Sequence, residues 1–386
     1  MKYALINAEI ITPFRIITNG TILIEKSRII ELGRKSDVSI QKRVKVIDLG
    51  GLICSPGFID LHIHGANGFD FAGATSEELE EIFNYLIEHG ITGVLATIDP
   101  RPFEKFTKYI KYIAEYCLKK DRNPVLKGLH LEGPFLNREM CGAMNPDYML
   151  EPDPEVWRIM KNAGKGFIRL MTIAPEVNNG MKIIRKAVKD NIVLSIGHSA
   201  ASFDEIETAI DNGITQVTHI FNAMNPIRHR KPDVLVGALL MPELKTQLIA
   251  DGIHVHPAVI KLLYKLKGAN GIILISDAMK ATGKGDGEYN INGKRVFVKG
   301  NRAFLDNGTL AGSTHTLDIG LKTMVQKADV PLTDAVRMAT LNPARVLKED
   351  NKKGILAAGK DADISIFDNN FDVQMTIIKG KIVYRK

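Results

Sequence analysis

The sequence predicts an α/β protein: a (β/α)8 TIM-like barrel with a small β-sandwich domain formed by both termini. Three observations carry this. Eight apolar runs of strand length alternate with helical stretches through the middle of the chain. Both ends are β-rich and punctuated by turn residues. Histidines and carboxylates recur where the predicted barrel strands stop. With 386 residues, 45% of them hydrophobic, the chain has room for a barrel of ~200–250 residues and a smaller domain besides.

Residues 1–54 contain YALINAEIIT, TILIEKSRIIELG and VKVIDLGG, whose alternation and β-branched content favour strands, and Asn19-Gly20 reads as a hairpin turn. Residues 355–386 repeat the pattern in DADISIFD and VQMTIIKGKIVYRK, with Gly380 at the turn. The two segments are expected to pair into one sandwich. Between them, residues 55–354 carry the barrel runs GFIDLHIH, TGVLAT, LKGLHLE, FIRLMTIA, IVLSIGH, TQVTHI, TQLIAD and GIILISD. The clearest helix is SEELEEIFNYLIEHG, with Ser76 as its cap, Glu77, Glu78 and Glu80 near its start, and Gly90 as its stop. A doubly wound sheet is the rival fold, but no GxGxxG or P-loop follows the first strand. Residues 285–310 break the alternation, with Asn292-Gly293 and Asn307-Gly308 turns between β-rich stretches, and predict a β-hairpin insertion after the last barrel strand.

Composition narrows the function classes. The formal charge of +7 favours anions, yet the basic residues are scattered, as in EKFTKYIKY and KKGILAAGK. No basic arm or aromatic-interleaved stripe argues for nucleic acid, whereas a small anionic substrate suits the charge. No uncharged apolar run approaches the ~18 residues of a membrane span. Cys54, Cys117 and Cys141 lack paired spacing, which predicts a reducing, cytoplasmic setting.

In a barrel enzyme the active site is built at the C-terminal ends of the strands. His62 and His64, two apart on a strand, project to one face and can grip a metal together, although HxH alone is a weak signal. Glu132 closes a largely apolar strand, where an unpaired carboxylate is costly to bury, so it requires a metal or a cation. A lysine or arginine partner is the alternative. His130 shares its face and suits a supporting role beside the ligands. His198 ends IVLSIGH and His219 lies in VTHIFNAMN, at the ends of consecutive strands. Imidazole and carboxylate together suit zinc, iron and related divalent ions, commonly with one position open to water. Asp277 ends GIILISD, where it can shuttle the proton of an attacking water; capping a helix is its other reading. Outside the metal set, Arg230 suits bidentate phosphate binding. His254, Asn222 and Ala223 are further candidates for substrate contact.

The stretches PGFIDLHIHG, HLEGPFLN, APE, GHS, THIFNAMN, IADGIHVHP, SDAM, LAGST and NPAR, in that order, resemble the N-acetylglucosamine-6-phosphate deacetylases of the amidohydrolase superfamily over nearly the whole chain. HLEGPF with THxFNAM is the fairly specific part; HxH and DAD belong to the wider superfamily. The resemblance implies metal ligation by Glu132, His198 and His219, a second ion at His62 and His64 as in some members, and one or two divalent ions per subunit. It also implies that Asp277 is the general acid/base. Arg230 and His254 would contact the sugar phosphate, one of them across the interface of a homodimer. One departure stands out: the family usually places a histidine in a GxHNP-like stretch, and here Cys141-Gly142-Ala143-Met144-Asn145-Pro146 puts Met144 there. Methionine cannot donate the hydrogen bond thought to polarise the substrate carbonyl.

The expected reaction is hydrolysis of the N-acetyl group of N-acetylglucosamine 6-phosphate to glucosamine 6-phosphate and acetate. The alternatives are a related N-acyl amino sugar phosphate, such as N-acetylgalactosamine 6-phosphate, or another amide. Many amidohydrolases bridge two metals with a carboxylated lysine on the fourth strand, but FIRLMTIAPE has no lysine near its end, and Glu132 can bridge instead. A non-catalytic scaffold should have lost ligands, and all the candidates are present.

Overall fold

The computed structural model describes residues 2–12 and 14–386. Eight parallel strands form one sheet in strict chain order: Phe58–Ile63, Ile91–Ile98, Leu126–Glu132, Ile168–Ile173, Val193–Ile196, Gln216–Val217, Lys245–Ile249 and Ile272–Ile275. The first and eighth strands meet at their C-terminal ends, where Asp277 N–H donates to the His62 carbonyl (2.9 Å) and His64 N–H to that of Ala278 (2.8 Å). Helices pack outside, and the predicted (β/α)8 barrel is the observed one. All eight runs selected from the sequence coincide with these strands because each is apolar, short and bounded by turn residues.

The barrel interior is layered. Ile59, Leu61, Leu95, Leu170, Ile249, Ile273 and Ile275 come from strands on opposite sides of the barrel, and they form one apolar cluster with Ala344 and Leu347. Toward the C-terminal ends a buried polar belt replaces it. His130 bonds Thr97 (3.2 Å) and Thr172 (2.9 Å), and Thr172 continues to Thr218 (2.8 Å) and thence Ser195 (2.6 Å). The metal-type side chains lie at the top of this stack.

Both chain ends enter a second, eight-stranded sheet, in which Ile364–Phe367 pairs antiparallel with Ile53–Pro56. This sheet surrounds its own core of Leu5, Ile10, Ile22, Ile24, Ile364 and Ile377 and makes the small sandwich. Asn19-Gly20, read as a hairpin turn, lies instead inside the strand Ile16–Glu25, where the pairing register with Lys2–Ile11 shifts. Asn19 has φ 53° there, so the dipeptide serves a bulge rather than a turn. Thr12 N–H donates to the Arg15 carbonyl (2.9 Å) ahead of the second strand, and the chain reverses again at Lys26 (φ 52°). The first helix, Ser76–Glu88, is capped by Thr75 and not by Ser76. Thr75 stands three residues before Glu78, the spacing a reciprocal capping box needs, whereas Ser76 is followed at that distance by Leu79. The predicted insertion is a three-stranded meander, Gly287–Ile291, Lys294–Lys299 and Arg302–Leu305.

Phe58, at the foot of the first strand, is 1% exposed and packs against Phe367 of the sandwich, ring centroids 5.9 Å apart. Phe58→Ala should destabilise the protein by ~3–5 kcal/mol, as for other buried aromatic truncations, seen as a lower denaturant midpoint.

Candidate metal centre and catalytic pocket

The structure brings six of the ten sequence-selected residues onto one point at the top of the barrel. Glu132 is at the centre. Its Oε1 lies 3.2 Å from His198 Nε2 and 3.0 Å from His219 Nε2. Its Oε2 lies 3.3 Å from His62 Nε2 and 3.2 Å from His64 Nε2. Asp277 Oδ1 faces the second pair at 3.4 and 3.3 Å. No lysine or arginine forms an ion pair with Glu132 among the described residues, so its alternative reading fails. No helix follows Asp277 directly, so it caps none.

The imidazoles are arranged as ligands are. His198 and His219 Nε2 atoms approach to 3.1 Å, and those of His62 and His64 to 3.3 Å. His198 Nδ1 donates to the Met140 carbonyl at 2.8 Å, which leaves its Nε2 lone pair aimed at Glu132 and His219. Two groups of three donors, His62–His64–Glu132 and Glu132–His198–His219, each converge closely enough to hold one ion, with Glu132 common to both. The donor chemistry therefore fits divalent metal binding, with Glu132 available to either group. His130 is not a third ligand. Both of its ring nitrogens are engaged elsewhere, Nδ1 with Thr97 Oγ1, which also accepts from Ile63 N–H (3.0 Å), and Nε2 with Thr172 Oγ1.

Burial and charge set the protonation. Burial alone would raise the Glu132 carboxyl, but the charge of His62 and hydrogen bonds from His198, His219 and His62 hold it well below the usual range. Burial would also raise Asp277, and His62 and His64 reverse that and favour its ionised form. Burial lowers His62 and His64, but Glu132 and Asp277 together lift both above the ordinary histidine value. Burial keeps His130 far below that value, with the neighbouring His62 charge adding to the effect.

The backbone is strained where these side chains stand. His198, His219 and Asp277 have φ of 49°, 27° and 51°, and Phe221 and Ala223 follow His219 at 79° and 51°. Side chains at such angles cost roughly 1–3 kcal/mol each and persist where the surroundings over-determine them. Here the turn out of each strand brings the side chain back over the barrel mouth.

A cavity of ≈ 350 Å³ opens above the cluster and includes His254, Asn222 and Ala223 in its wall. Asp251 fixes His254: its Oδ2 accepts from His254 Nδ1 at 2.7 Å, and its Oδ1 accepts the main-chain N–H of Ile253 and His254. Arg230 is absent from this wall and lies on the exposed loop 226–231. Sequence reasoning missed the roof. The meander supplies Ile291, Asn292, Lys294, Val296 and Leu305 to the cavity wall, and the turn after it supplies Thr309. Lys294 Nζ donates to the carbonyls of Ala143 and Met144, both at 2.9 Å, and Asn292 Nδ2 to Asp99 at 2.8 Å. The turn at Asn292-Gly293 was readable from sequence; that its flanks fold over the barrel mouth was not.

The family model for the amidohydrolase family matches residues 53–383. An N-acetylglucosamine-6-phosphate deacetylase of Lysinibacillus sphaericus is 38% identical over 88% of this chain and 87% of that protein. The crystal structure of the N-acetylglucosamine-6-phosphate deacetylase from Pasteurella multocida superposes with a TM-score of 0.93 at 31% identity, covering 100% of both chains. A variant of the Mycobacterium smegmatis N-acetyl-D-glucosamine-6-phosphate deacetylase, in complex with N-acetyl-D-glucosamine-6-phosphate, superposes with a TM-score of 0.92 at 32% identity over 99% of each chain.

Glu132→Gln should lose metal from both donor groups, whereas His64→Asn should lose it from one and spare the other, as read by elemental analysis of purified protein. Lys294→Met removes two charge-assisted hydrogen bonds worth about 1.5–3 kcal/mol each. It should expose loop 141–149 to protease at least tenfold faster while the helices keep their circular dichroism.

Proposed function

The chain belongs to the amidohydrolase family and, within it, to the N-acetylglucosamine-6-phosphate deacetylases, and we propose that the pocket above Glu132 hydrolyses the N-acetyl group of N-acetylglucosamine 6-phosphate to glucosamine 6-phosphate and acetate. The observation that carries this is one buried carboxylate shared by two histidine pairs beside an ionised aspartate. Glu132, His198 and His219 would hold the primary ion, and His62 and His64 with Glu132 a second; zinc and iron both suit the donors. A divalent ion so held polarises water and the amide carbonyl.

The chain's own groups do the rest. Asp277 accepts the proton of the attacking water as its oxygen adds to the acetyl carbon. It then delivers that proton to the sugar nitrogen as the C–N bond breaks, leaving acetate and the amine. His254, held by Asp251, presents its Nε2 edge to the cavity, and the loop at Asn222 and Ala223 offers polar main-chain contacts. Lys294 is the one lysine or arginine in the cavity wall among the described residues, and Arg230 lies outside it. Arg230 is therefore assigned to the phosphate of a substrate bound in a partner subunit of a homodimer, in keeping with its exposed loop. The compartment we assign is the cytoplasm, in keeping with three free cysteines and with no helix among the described residues long and apolar enough to cross a membrane.

Met144 favours a second reading of specificity. It lines the cavity where the resembling family carries a histidine donor, which leaves room for a related N-acyl amino sugar phosphate such as the galactosamine epimer. In that case Asp277 and the metal set keep the same roles.

Metal-loaded protein should release acetate from N-acetylglucosamine 6-phosphate and much less from the unphosphorylated sugar; no release from any phosphorylated N-acetyl sugar would sink the assignment. Asp277→Asn should lower kcat by about 10²–10⁴-fold with metal content intact. Arg230→Ala should raise KM by about 10–100-fold with kcat nearly unchanged, the loss of a charge-assisted hydrogen bond.

A further inference from the structure

At the end of the barrel opposite the metal cluster, a cavity of ≈ 520 Å³ lies in the seam between the barrel and the sandwich. Eight lysine and arginine side chains line it against two carboxylates, Glu349 and Asp361. This is a concentration of charge, not a sample of the surface, because the whole chain carries a net +7.

The cations are positioned, and all but Lys353 are without a carboxylate ion pair among the described residues. Arg122, in the loop before the third barrel strand, donates to the Leu126 carbonyl at 2.6 Å. Lys127 donates to that of Pro124 at 2.6 Å, and Arg169, on the fourth strand, to that of Leu347 at 2.5 Å. All three are half-buried, and each is steered by a main-chain carbonyl rather than neutralised by a carboxylate. Lys120, Lys348, Lys352 and Lys379 form no ion pair among the described residues. Lys353 alone is paired, to Asp361 at 2.8 Å and to Asp363. The crowding has an electrostatic consequence. Burial, then the charge of Lys353, pushes Lys127 down to about 8.

Like charges held together in a partly desolvated cleft cost free energy that an anion would recover. Guanidinium forks from two segments suit phosphate oxygens, and the cleft is larger than one phosphate needs. We propose that this cleft binds a small soluble anion carrying two or more phosphate groups. The catalytic ends of the strands are at the far side of the barrel, so the ligand is not the substrate of the reaction and the site stands independently of it. It bridges Arg122 and Arg169 of the barrel to Lys379 of the sandwich, and its binding stabilises that seam.

Fructose 1,6-bisphosphate, a bisphosphate that chelates metals weakly, is the probe. It is titrated calorimetrically into the metal-loaded protein with the catalytic site saturated by glucosamine 6-phosphate, and melting is followed in parallel. The expected result is one saturable site per chain, at least tenfold tighter than for inorganic phosphate, with a rise in Tm. Arg122→Gln with Arg169→Gln should weaken binding tenfold or more while kcat and KM for acetate release stay unchanged. Should that pair fail to fold, the exposed pair Lys348→Gln and Lys352→Gln is expected to weaken binding at least threefold. Binding that survives both pairs, or a Tm rise reproduced by sulfate at equal ionic strength, would overturn the proposal.

Discussion

Everything at the top of this barrel depends on one buried carboxylate. Glu132 gives each of its oxygens to a different pair of imidazoles. Burial works against its charge, and His62, His198 and His219 outweigh it. Removing the carboxylate would leave the buried His198 and His219 facing each other without a carboxylate partner, with Asp277 facing only His62 and His64. The arrangement makes sense as a cage for cations, in which the protein provides lone pairs and one shared negative group.

The barrel below is built to hold that cage still. An apolar layer fills the lower interior, and a hydrogen-bonded belt of threonines, Ser195 and His130 separates it from the ligands. The belt engages both ring nitrogens of His130, with Thr97 and Thr172, and so holds it out of the converging donor groups. Positive φ at His198, His219 and Asp277 turns each side chain inward just past its strand end. That local cost is tolerated because the barrel ladder, the ligand cluster and the closing bonds from Asp277 and His64 determine the backbone together.

The two ends of the barrel differ in electrostatic character. The catalytic mouth concentrates imidazoles and carboxylates under an apolar roof made by the meander, which Lys294 and Asn292 fasten to neighbouring loops. The opposite end gathers unpaired lysines and arginines along the seam with the sandwich. A parallel barrel permits this because strand starts and strand ends face different solvents and share no side chains.

Length, strand-sized apolar runs and the residues ending them were enough to read the barrel, the terminal sandwich and the residues that meet at Glu132, because period and strand polarity fix which face and which end a side chain occupies. Local signals went astray where two readings use the same residues. Asn19-Gly20 suits a bulge as well as a turn, and Thr75 and Ser76 are both capping residues until Glu78 is counted from each. Distances across the barrel were outside the reach of any local pattern. Only the tertiary structure decided that Glu132 is shared by both histidine pairs, that His130 is bonded away from them, that Lys294 closes the roof, and that Arg230 stands outside the cavity of its own chain. These depend on how far apart elements separated by tens to hundreds of residues come to rest, and packing sets that distance where sequence spacing does not.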